Sequence, residues 1–162
     1  MPECPPLASP ETGSGRFIDD YLLYLMARAS FLISSEFHHE LKRRGVQIHV
    51  WRVLASLVGS PRGETVTGLA EVCLLQQPTM TKLLDRMVRD RLVRRAQDEK
   101  DRRVVRIELT REGEELAREL VALARRHEAE VLARHPEAEA VALKSLLRSM
   151  LQRLDTKGGR RG

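Results

Sequence analysis

Apolar residues recur at helical spacing through most of this chain and change to strand spacing in one short segment. Glycine and proline mark breaks between the periodic segments, at Gly45, across the turn 59–63 and at Pro136. Six helices are predicted. The first two are 17–44 and 49–58, the third is capped by Thr65 or Thr67, and the fourth starts at Pro78. The fifth runs from 111 to about 133, and the last starts at Pro136. The pattern predicts a mainly helical protein with a small β element.

The first predicted helix, 17–44, carries more apolar side chains than one buried face can use. Its main stripe is Ile18, Tyr21, Leu22, Leu25, Ala29, Leu32 and Ile33, and off that stripe lie Leu23, Tyr24, Met26 and Phe31. The last helix has a leucine-rich stripe of its own, Leu143, Leu147, Met150, Leu151 and Leu154. We expect a second subunit to cover these extra apolar surfaces.

The helix that starts at Pro78 has two contrasting faces. Its predicted buried stripe is Met80, Leu83, Leu84, Met87 and Val88, and its opposite face carries Thr79, Lys82, Arg86 and Arg89. The preceding helix, with Leu69, Ala70 and Cys73 inward, forms a helix-turn-helix with it. In the helix 49–58 the predicted inward residues are Trp51, Leu54, Ala55 and Val58.

Strand spacing follows this helix, because Val105, Ile107 and Leu109 alternate with more polar neighbours. Residues 92–95 are the predicted partner strand, and the link 96–103 is polar and charged. A helix followed by a β-hairpin with a charged tip is a winged-helix arrangement. Helices of this kind fit the major groove of DNA, and wing tips reach the backbone or the minor groove.

Positive charge is concentrated between Gln76 and Arg111, about a fifth of the chain. This segment holds eleven lysines and arginines and six acids, so its charge is eleven minus six, or +5, equal to the formal net charge of the whole protein. The concentration favours a surface that binds a polyanion. A solvated charged surface with no ligand is the alternative.

The composition, 42% hydrophobic and 31% charged over 162 residues, predicts one globular domain. No apolar run is long enough to span a membrane, and the N-terminus has no signal-peptide pattern. The two cysteines, Cys4 and Cys73, have no metal-site spacing, so a reducing cytoplasm is the expected location. No nucleophile and base have the spacing of a catalytic site, and the chain is predicted not to be an enzyme.

The segments PTMTKLLDRMVRDRLV, DEKDRR and VRIELTREG together resemble the multiple antibiotic resistance regulator (MarR) family of bacterial transcription factors. The wing motif of that family has the form D-x-R-D-x-R. Asp98, Asp101 and Arg103 match it, whereas Lys100 replaces the usual arginine. Arg91 stands where a glycine commonly precedes the wing.

The resemblance implies a mainly α fold, in which a winged helix-turn-helix lobe with a two-strand β-wing is flanked by N- and C-terminal dimerisation helices. The predicted divisions are a disordered tail over 1–15, a single domain over 16–154 and a C-terminal tail over 155–162. Within that domain, 17–44 and 111–154 are dimerisation helices and 48–110 is the winged helix-turn-helix. It also implies a homodimer that binds double-stranded DNA.

Residues of the basic helix and the wing are the predicted DNA contacts. They are Gln77, Thr79, Thr81, Lys82, Arg86, Lys100, Asp101, Arg102 and Arg103. Gln77 either contacts DNA or caps its helix. By analogy with the family, Arg103 lies near the minor groove, and Asp101 orients its guanidinium group. The alternative for that pair is a surface ion pair, which contributes little.

The family often binds a small aromatic or anionic effector between the dimer helices and the winged lobe. The candidates in the matching segments are Tyr24, Arg28, His38, His49, Trp51 and Arg52. An ordinary helix junction with satisfied polar groups is the alternative. His38 and His39 point about 100° apart on a helix, so no metal site is predicted. No cofactor is predicted either.

The basic helix and wing predict a DNA-binding protein, and the resemblance implies a ligand-responsive transcriptional regulator that acts as a repressor. We expect it to bind a pseudo-palindromic operator and to be released by its effector. Two alternatives stay open: a winged-helix module for protein interaction, and a regulator that senses redox state through a thiol.

Overall fold

The computed structural model describes residues 15–158, which form seven helices and three strands. The helices are α1 (Phe17–Asp20), α2 (Leu22–Arg43), α3 (Ile48–Leu57), α4 (Val66–Cys73), α5 (Gln77–Arg89), α6 (Arg111–Leu132) and α7 (Glu137–Gly158). The strands are β1 (Glu64–Thr65), β2 (Val93–Gln97) and β3 (Val105–Leu109). Of the two predicted tails, residues 1–14 and 159–162 lie outside the described residues, and α7 continues past residue 154 to Gly158.

The predicted first helix is interrupted at Tyr21, where the backbone is extended (φ −75°, ψ 114°). Apolar spacing does not reveal this break, because Phe17 and Ile18 before it keep the spacing of the residues after it. The ring of Phe17 stacks on that of Tyr21 at 5.1 Å between centroids. At the other end, Gly45 follows α2 with φ +69°, as predicted for a helix stop.

The core lies where α3, α4, α5 and the sheet meet the end of α2 and the first half of α6. Leu54, Leu69, Leu84 and Ile107 are fully buried there. Thr65 caps α4, because its hydroxyl oxygen accepts from the Gly68 N–H at 3.1 Å. Together α4 and α5 form the predicted helix-turn-helix.

The inward face of α3 differs from the predicted one. Its buried residues are Val50, Val53, Leu54 and Leu57, so of the predicted set only Leu54 is buried. Val58 is exposed, and Trp51 is half-buried with its ring against Phe37 at 5.3 Å. The segment is apolar on nearly all sides, so spacing alone does not select the face. In α5, likewise, Val88 is exposed rather than buried.

The sheet has three antiparallel strands in the order β1-β3-β2. The hairpin of β2 and β3 is the predicted wing, with Arg94 opposite Glu108. β1 pairs with β3 as a third strand, where the sequence predicts a turn and a helix cap. Gly63 enters β1 at φ +62°, and a Cβ there would lie 2.3 Å from the Ile107 carbonyl oxygen.

α6 begins directly after the wing and packs closely on it. Thr110 caps the helix as predicted, since its hydroxyl oxygen accepts from the Gly113 N–H at 3.0 Å. A Cβ at Gly113 would lie 1.9 Å from the Leu92 carbonyl oxygen, so only glycine fits this approach. The packing fixes the wing relative to the long helix.

Large apolar side chains are exposed along α1, the first part of α2, and α7. We call residues 17–33 and 141–154 the apolar flank. Its most exposed members are Phe17, Phe31, Leu23, Val141, Leu146, Leu151 and Leu154. Lys144 of α7 forms an ion pair with Glu128 of α6 at 2.9 Å. No helix within residues 15–158 is both long enough and apolar enough to cross a bilayer.

Candidate nucleic-acid interface

Helix α5 presents one buried face and one exposed face. Met80, Leu84 and Met87 are fully buried, whereas Lys82 and Arg86 are exposed on the other side. Burial of the apolar face holds the helix in the lobe and leaves its polar face to solvent. Pro78 lies in the first turn of this helix, where its missing N–H costs nothing.

More than half of the cations between Gln76 and Arg111 are already neutralised by carboxylates. The ion pairs are Arg86–Asp90 (3.6 Å), Arg94–Glu108 (2.7 Å), Arg95–Asp85 (2.6 Å), Arg103–Asp101 (3.8 Å), Arg106–Asp98 and Arg111–Glu115 (3.2 Å). The Arg95–Asp85 pair joins the wing to α5, and the Arg94–Glu108 pair joins the two wing strands. These contacts hold the parts of the lobe in register.

Of the eleven cations, six are paired in this way, and the other five side chains have no ion-pair partner within the described part of the chain. The five are Lys82, Arg89, Arg91, Lys100 and Arg102. All five are exposed. A cation that no protein carboxylate neutralises is free to neutralise a DNA phosphate and to release the counterions condensed there, so these five are the strongest candidates.

At the wing tip, Asp98 and Asp101 organise the turn through main-chain N–H groups. Asp98 Oδ1 accepts from the N–H of Lys100 at 2.8 Å and of Asp101 at 3.1 Å. Asp101 Oδ1 accepts from the Arg103 N–H at 3.0 Å and lies 3.8 Å from its guanidinium group. The Arg103 side chain is 95% exposed, so Asp101 holds its main chain more firmly than its guanidinium group.

A second contact ties the wing to the strand beside it. Arg106 is hydrogen-bonded to Asp98 through Nε, and its Nη1 donates to the Gly63 carbonyl oxygen at 3.4 Å. The Arg106 hydrogen bond, together with the N–H groups of Lys100 and Asp101, lowers the pKa of Asp98 to about 2. Asp98 is therefore ionised at neutral pH and keeps the wing turn closed.

Gln77 and Thr81 take part in contacts within the helix-turn-helix. Gln77 Nε2 donates to the Thr67 hydroxyl oxygen at 2.9 Å, which links the starts of α4 and α5. The Thr81 hydroxyl donates to the Gln77 carbonyl oxygen at 3.0 Å. Thr81 also lines a groove of about 290 Å³ between α5 and the wing, beside Arg95 and Gln97. Thr79 is exposed near the start of α5.

The predicted effector residues lie on α2 and α3 in two groups. Arg28 Nη1 donates to the Tyr24 hydroxyl at 2.8 Å. Partial burial, and then the positive charge of Arg52, lower the pKa of His38. Arg52 itself donates to the Cys73 carbonyl oxygen at 3.2 Å, at the end of α4. Trp51 is half-buried and His49 is exposed.

His127 was absent from that prediction, although it lies in the same region. Its ring stacks on Phe37 at 5.8 Å, and its Nε2 lies 2.8 Å from the Ile33 carbonyl oxygen. His127 is ninety-four positions from Ile33 in sequence, so only the packing of α6 on α2 brings the two together.

Cys73 is fully buried in the core. Burial raises the pKa of its thiol, and the effects of Arg52 and Ser56 oppose that shift only in part. A buried thiol with a raised pKa is a poor nucleophile, which argues against redox sensing at this position. Cys4, the other cysteine, lies outside the described residues. Across residues 15–158, histidines, cysteines and acids form no group of three that could hold a metal ion.

Three basic residues near the interface were not predicted as contacts. Arg89 extends the exposed face of α5, and Arg91 follows that helix with φ +57°. Arg62 lines a cleft with Glu99 and Lys100 of the wing. Helical spacing signals Arg89, whereas the placement of Arg62 depends on the pairing of β1 with β3.

Comparison with known proteins gives a consistent result. A family model described as MarR family matches residues 44–104. The homoprotocatechuate degradative operon repressor of Escherichia coli is 33% identical over 97 residues, covering 60% of this chain and 65% of that repressor. The chain thus spans slightly less than two thirds of this curated relative.

Two solved structures resemble the chain over most of its length. The MarR family transcriptional regulator SPO1453 from Silicibacter pomeroyi is 38% identical, covers 86% of this chain and 98% of its own, and gives a TM-score of 0.77. The S. aureus MepR–DNA complex gives a TM-score of 0.68 at 23% identity, covering 82% of this chain and 97% of its own. The second likeness concerns the fold alone.

Proposed function

Because the chain belongs to the MarR family of transcriptional regulators, we propose that it binds double-stranded DNA through α5 and the wing. The observation that carries this proposal is the set of five exposed cations without ion-pair partners in the described chain, Lys82, Arg89, Arg91, Lys100 and Arg102. They lie on the two elements that enter grooves in winged-helix proteins.

Different parts of this surface have different roles. Thr79, Lys82 and Arg86 lie on the face of α5 that enters the major groove and reads base edges. Lys100, Arg102 and Arg103 extend from the wing toward the backbone or the minor groove. Asp101 holds the turn that presents Arg103. Gln77 and Thr81 position the start of α5 through their contacts within the helix-turn-helix.

The functional unit in this proposal is a homodimer built through the apolar flank. Each subunit of the dimer places its own α5 on the DNA. The operator therefore has two related half-sites and is pseudo-palindromic. The exposed side chains of the flank, among them Phe31 and Leu154, support this assembly because large exposed apolar surfaces favour association.

The regulator in this proposal is a cytoplasmic repressor that a small aromatic or anionic effector releases from DNA. The curated relative is named as a repressor of an operon for homoprotocatechuate degradation, which supports this sign of regulation. The proposed effector residues are His38, His49, Trp51 and Arg52, near the end of α2 and on α3, and the Tyr24–Arg28 pair near the start of α2. Reciprocal linkage requires DNA to weaken effector binding by the same factor.

Titration of the protein against a duplex selected from a random pool, and against a scrambled duplex, tests DNA binding. Binding to both is expected to weaken with salt, with a log–log slope of roughly −0.9 for each phosphate contacted. Lys82→Ala is expected to cost about 1–3 kcal/mol on the selected duplex and to narrow its advantage over the scrambled one. Arg103→Ala is expected to weaken both duplexes and to reduce the slope by about one unit.

Arg94→Ala is the matched control, because Arg94 is exposed in the same segment but neutralised by Glu108. Its pair with Glu108, at 2.7 Å, is closer than the pair of Arg103 with Asp101, at 3.8 Å, so Arg94→Ala is expected to change the slope less than Arg103→Ala does. Asp101→Ala is expected to act as a milder form of Arg103→Ala. Binding that is insensitive to salt would refute the DNA interface and favour a protein-interaction module. Tighter binding by Asp101→Ala would show that Asp101 acts only by repulsion.

A further inference from the structure

The groove of about 290 Å³ between α5 and the wing, which we call the wing channel, contains apolar side chains. It is lined by Val66, Thr81, Arg95, Ala96, Gln97 and Val105. The proposed DNA interface uses Thr81 to position α5, but it gives no role to the apolar residues Val66, Ala96 and Val105. These residues nevertheless lie between the two elements that are proposed to enter the grooves of DNA.

The register of the hairpin explains why an apolar residue of the wing faces this channel. Arg95 lies opposite Ile107, and Gln97 lies opposite Val105. Residues directly opposite each other in an antiparallel pair share a face, as do alternate residues of one strand, so all four lie on the same face. Ile107 is fully buried, whereas Val105, two residues nearer the tip, is 44% exposed. The wing channel is thus the place where the core face of the hairpin extends beyond the core.

Contacts around the wing channel fix its shape. Arg95 Nη2 donates to Asp85 at 2.6 Å, which ties β2 to α5 across the channel. The Thr81 hydroxyl donates to the main-chain carbonyl oxygen one turn earlier in α5, at 3.0 Å, so that hydrogen is not available to a ligand. Val66, at the start of α4, is half-buried and packs against the core. The channel is therefore formed before DNA binds, with Val66 and Val105 as its larger apolar contacts.

The wing channel lies where one strand of bound DNA has to pass. The backbone of a single strand separates each major groove from the adjacent minor groove. With α5 in the major groove and the wing at the minor groove, that strand crosses the channel between them. Lys82 on α5, and Lys100 and Arg102 on the wing, have no ion-pair partner within the described residues and attract the phosphates on either side. This placement rests on the proposed function.

We propose that the wing channel seats a deoxyribose of this strand and selects against ribose at that position. The 2′ carbon of deoxyribose carries only hydrogen, which suits contact with Val105 and Val66. A ribose has a hydroxyl group there, which loses its water against these side chains and gains no hydrogen bond in return. A helix cannot enter the narrow major groove of an RNA duplex, so the sugar contact matters for DNA–RNA hybrids and for DNA that holds single ribonucleotides.

DNA duplexes that each carry a single ribonucleotide test the sugar contact. The full chain is titrated against the duplex selected from a random pool, with the ribonucleotide placed at each position of each strand in turn. We expect affinity to fall about tenfold at one or two positions in one strand of each half-site, beside the base pair whose preference Lys82→Ala relaxes. At the paired positions of the other strand, we expect affinity to stay within about twofold of that for the all-DNA duplex.

Val105→Thr supplies a hydrogen-bond partner for the ribose hydroxyl in a side chain that also suits a β-strand. Because Val105 is exposed, we expect this variant to bind the all-DNA duplex within about threefold of the wild type and to reduce the ribose penalty to about twofold. Val105→Ala, which leaves room for the hydroxyl and its water, is expected to reduce the penalty similarly. Val104→Thr is the matched control, since Val104 is adjacent but does not line the channel, and it is expected to keep the tenfold penalty.

Two outcomes would overturn the sugar contact and leave the DNA interface intact. One is equal affinity for every ribonucleotide duplex and for the all-DNA duplex. The other is a full penalty retained in both Val105→Thr and Val105→Ala, because the ribonucleotide would then act through the shape of the duplex. No binding of the wild type to any duplex would instead overturn the DNA interface and the sugar contact together, so the two failures are distinguishable.

Discussion

The winged lobe, residues 48–109, and the apolar flank have similar apolar side chains but opposite exposure. Leu84 in the lobe is 0% exposed, whereas Phe31 in the flank is 71% exposed. The lobe buries its apolar residues against other parts of the same chain. In the flank, leucines at helical spacing remain in contact with solvent within the single chain.

The difference separates two uses of the same sequence pattern. In the lobe, helical spacing supplies a core that holds α5 and the wing in place. In the flank, the same spacing supplies a surface whose burial requires another molecule. The lobe is thus stabilised within one chain, whereas in the proposed dimer the stability of the flank depends on protein concentration.

Leu84→Ala makes the most direct test of the lobe. We expect it to lower the free energy of unfolding by about 2–5 kcal/mol, because it leaves a cavity in a fully packed core. Urea unfolding followed by circular dichroism measures the change. Leu74→Ala is the control, since Leu74 is 83% exposed, and it is expected to change stability by at most about 0.5 kcal/mol. Equal effects of the two would mean that the lobe core is not what stabilises the fold.

Leu25→Glu combined with Leu32→Glu tests the flank. The two positions are seven residues apart on one face of α2, and both are exposed in the single chain. Carboxylates buried in an apolar interface lose their hydration, so we expect the dimer dissociation constant to rise at least about a hundredfold, or about 2.7 kcal/mol.

Sedimentation equilibrium at micromolar protein concentration measures this change in the dimer dissociation constant. The wild type is expected at twice the chain mass of 18.5 kDa, and the double variant at the chain mass. Val72→Glu, an exposed apolar residue of the lobe, is the control and is expected to stay dimeric. A wild-type monomer would remove the assigned role of the flank and the paired geometry of DNA binding.

Arg91→Gly tests a strained backbone position within the lobe. Arg91 holds a left-handed conformation at φ +57° after α5, which costs a residue with a Cβ more than it costs glycine. We expect the glycine variant to be about 1 kcal/mol more stable in urea unfolding. Arg86→Gly is the control within the helix and is expected to be about 1 kcal/mol less stable. Destabilisation by both would indicate that the Arg91 side chain outweighs its backbone strain.

Much of this fold could be predicted from the spacing of apolar residues and from the residues that begin or end helices. Thr110, Gly45 and Pro136 each mark a helix boundary by a local rule, and the structure confirms all three. The break at Tyr21 and the inward face of α3 escaped prediction, because apolar residues continue across the break and surround α3. The strand β1 was not predicted either, because a strand of two residues is too short to show an alternating pattern. It forms through its pairing with β3.

The candidate site was less predictable than the fold. The sequence located the basic segment but did not show which cations are neutralised. Pairing of Arg94 with Glu108 depends on the register of the hairpin, and pairing of Arg95 with Asp85 depends on the packing of the wing against α5. Such pairs join residues ten or more positions apart, beyond the reach of local spacing rules.

The order of the sheet also bears on how the protein avoids aggregation. β3 occupies the centre, where it pairs along its length with β2 and at Arg106 and Ile107 with β1. β1 is only two residues long, and β2 carries the exposed charges of Arg94 and Arg95. Short or charged edges are poor templates for another strand. Strand pairing between chains is therefore disfavoured, which leaves the wing strands in their own sheet and the helical surfaces as the places where a second chain can pack.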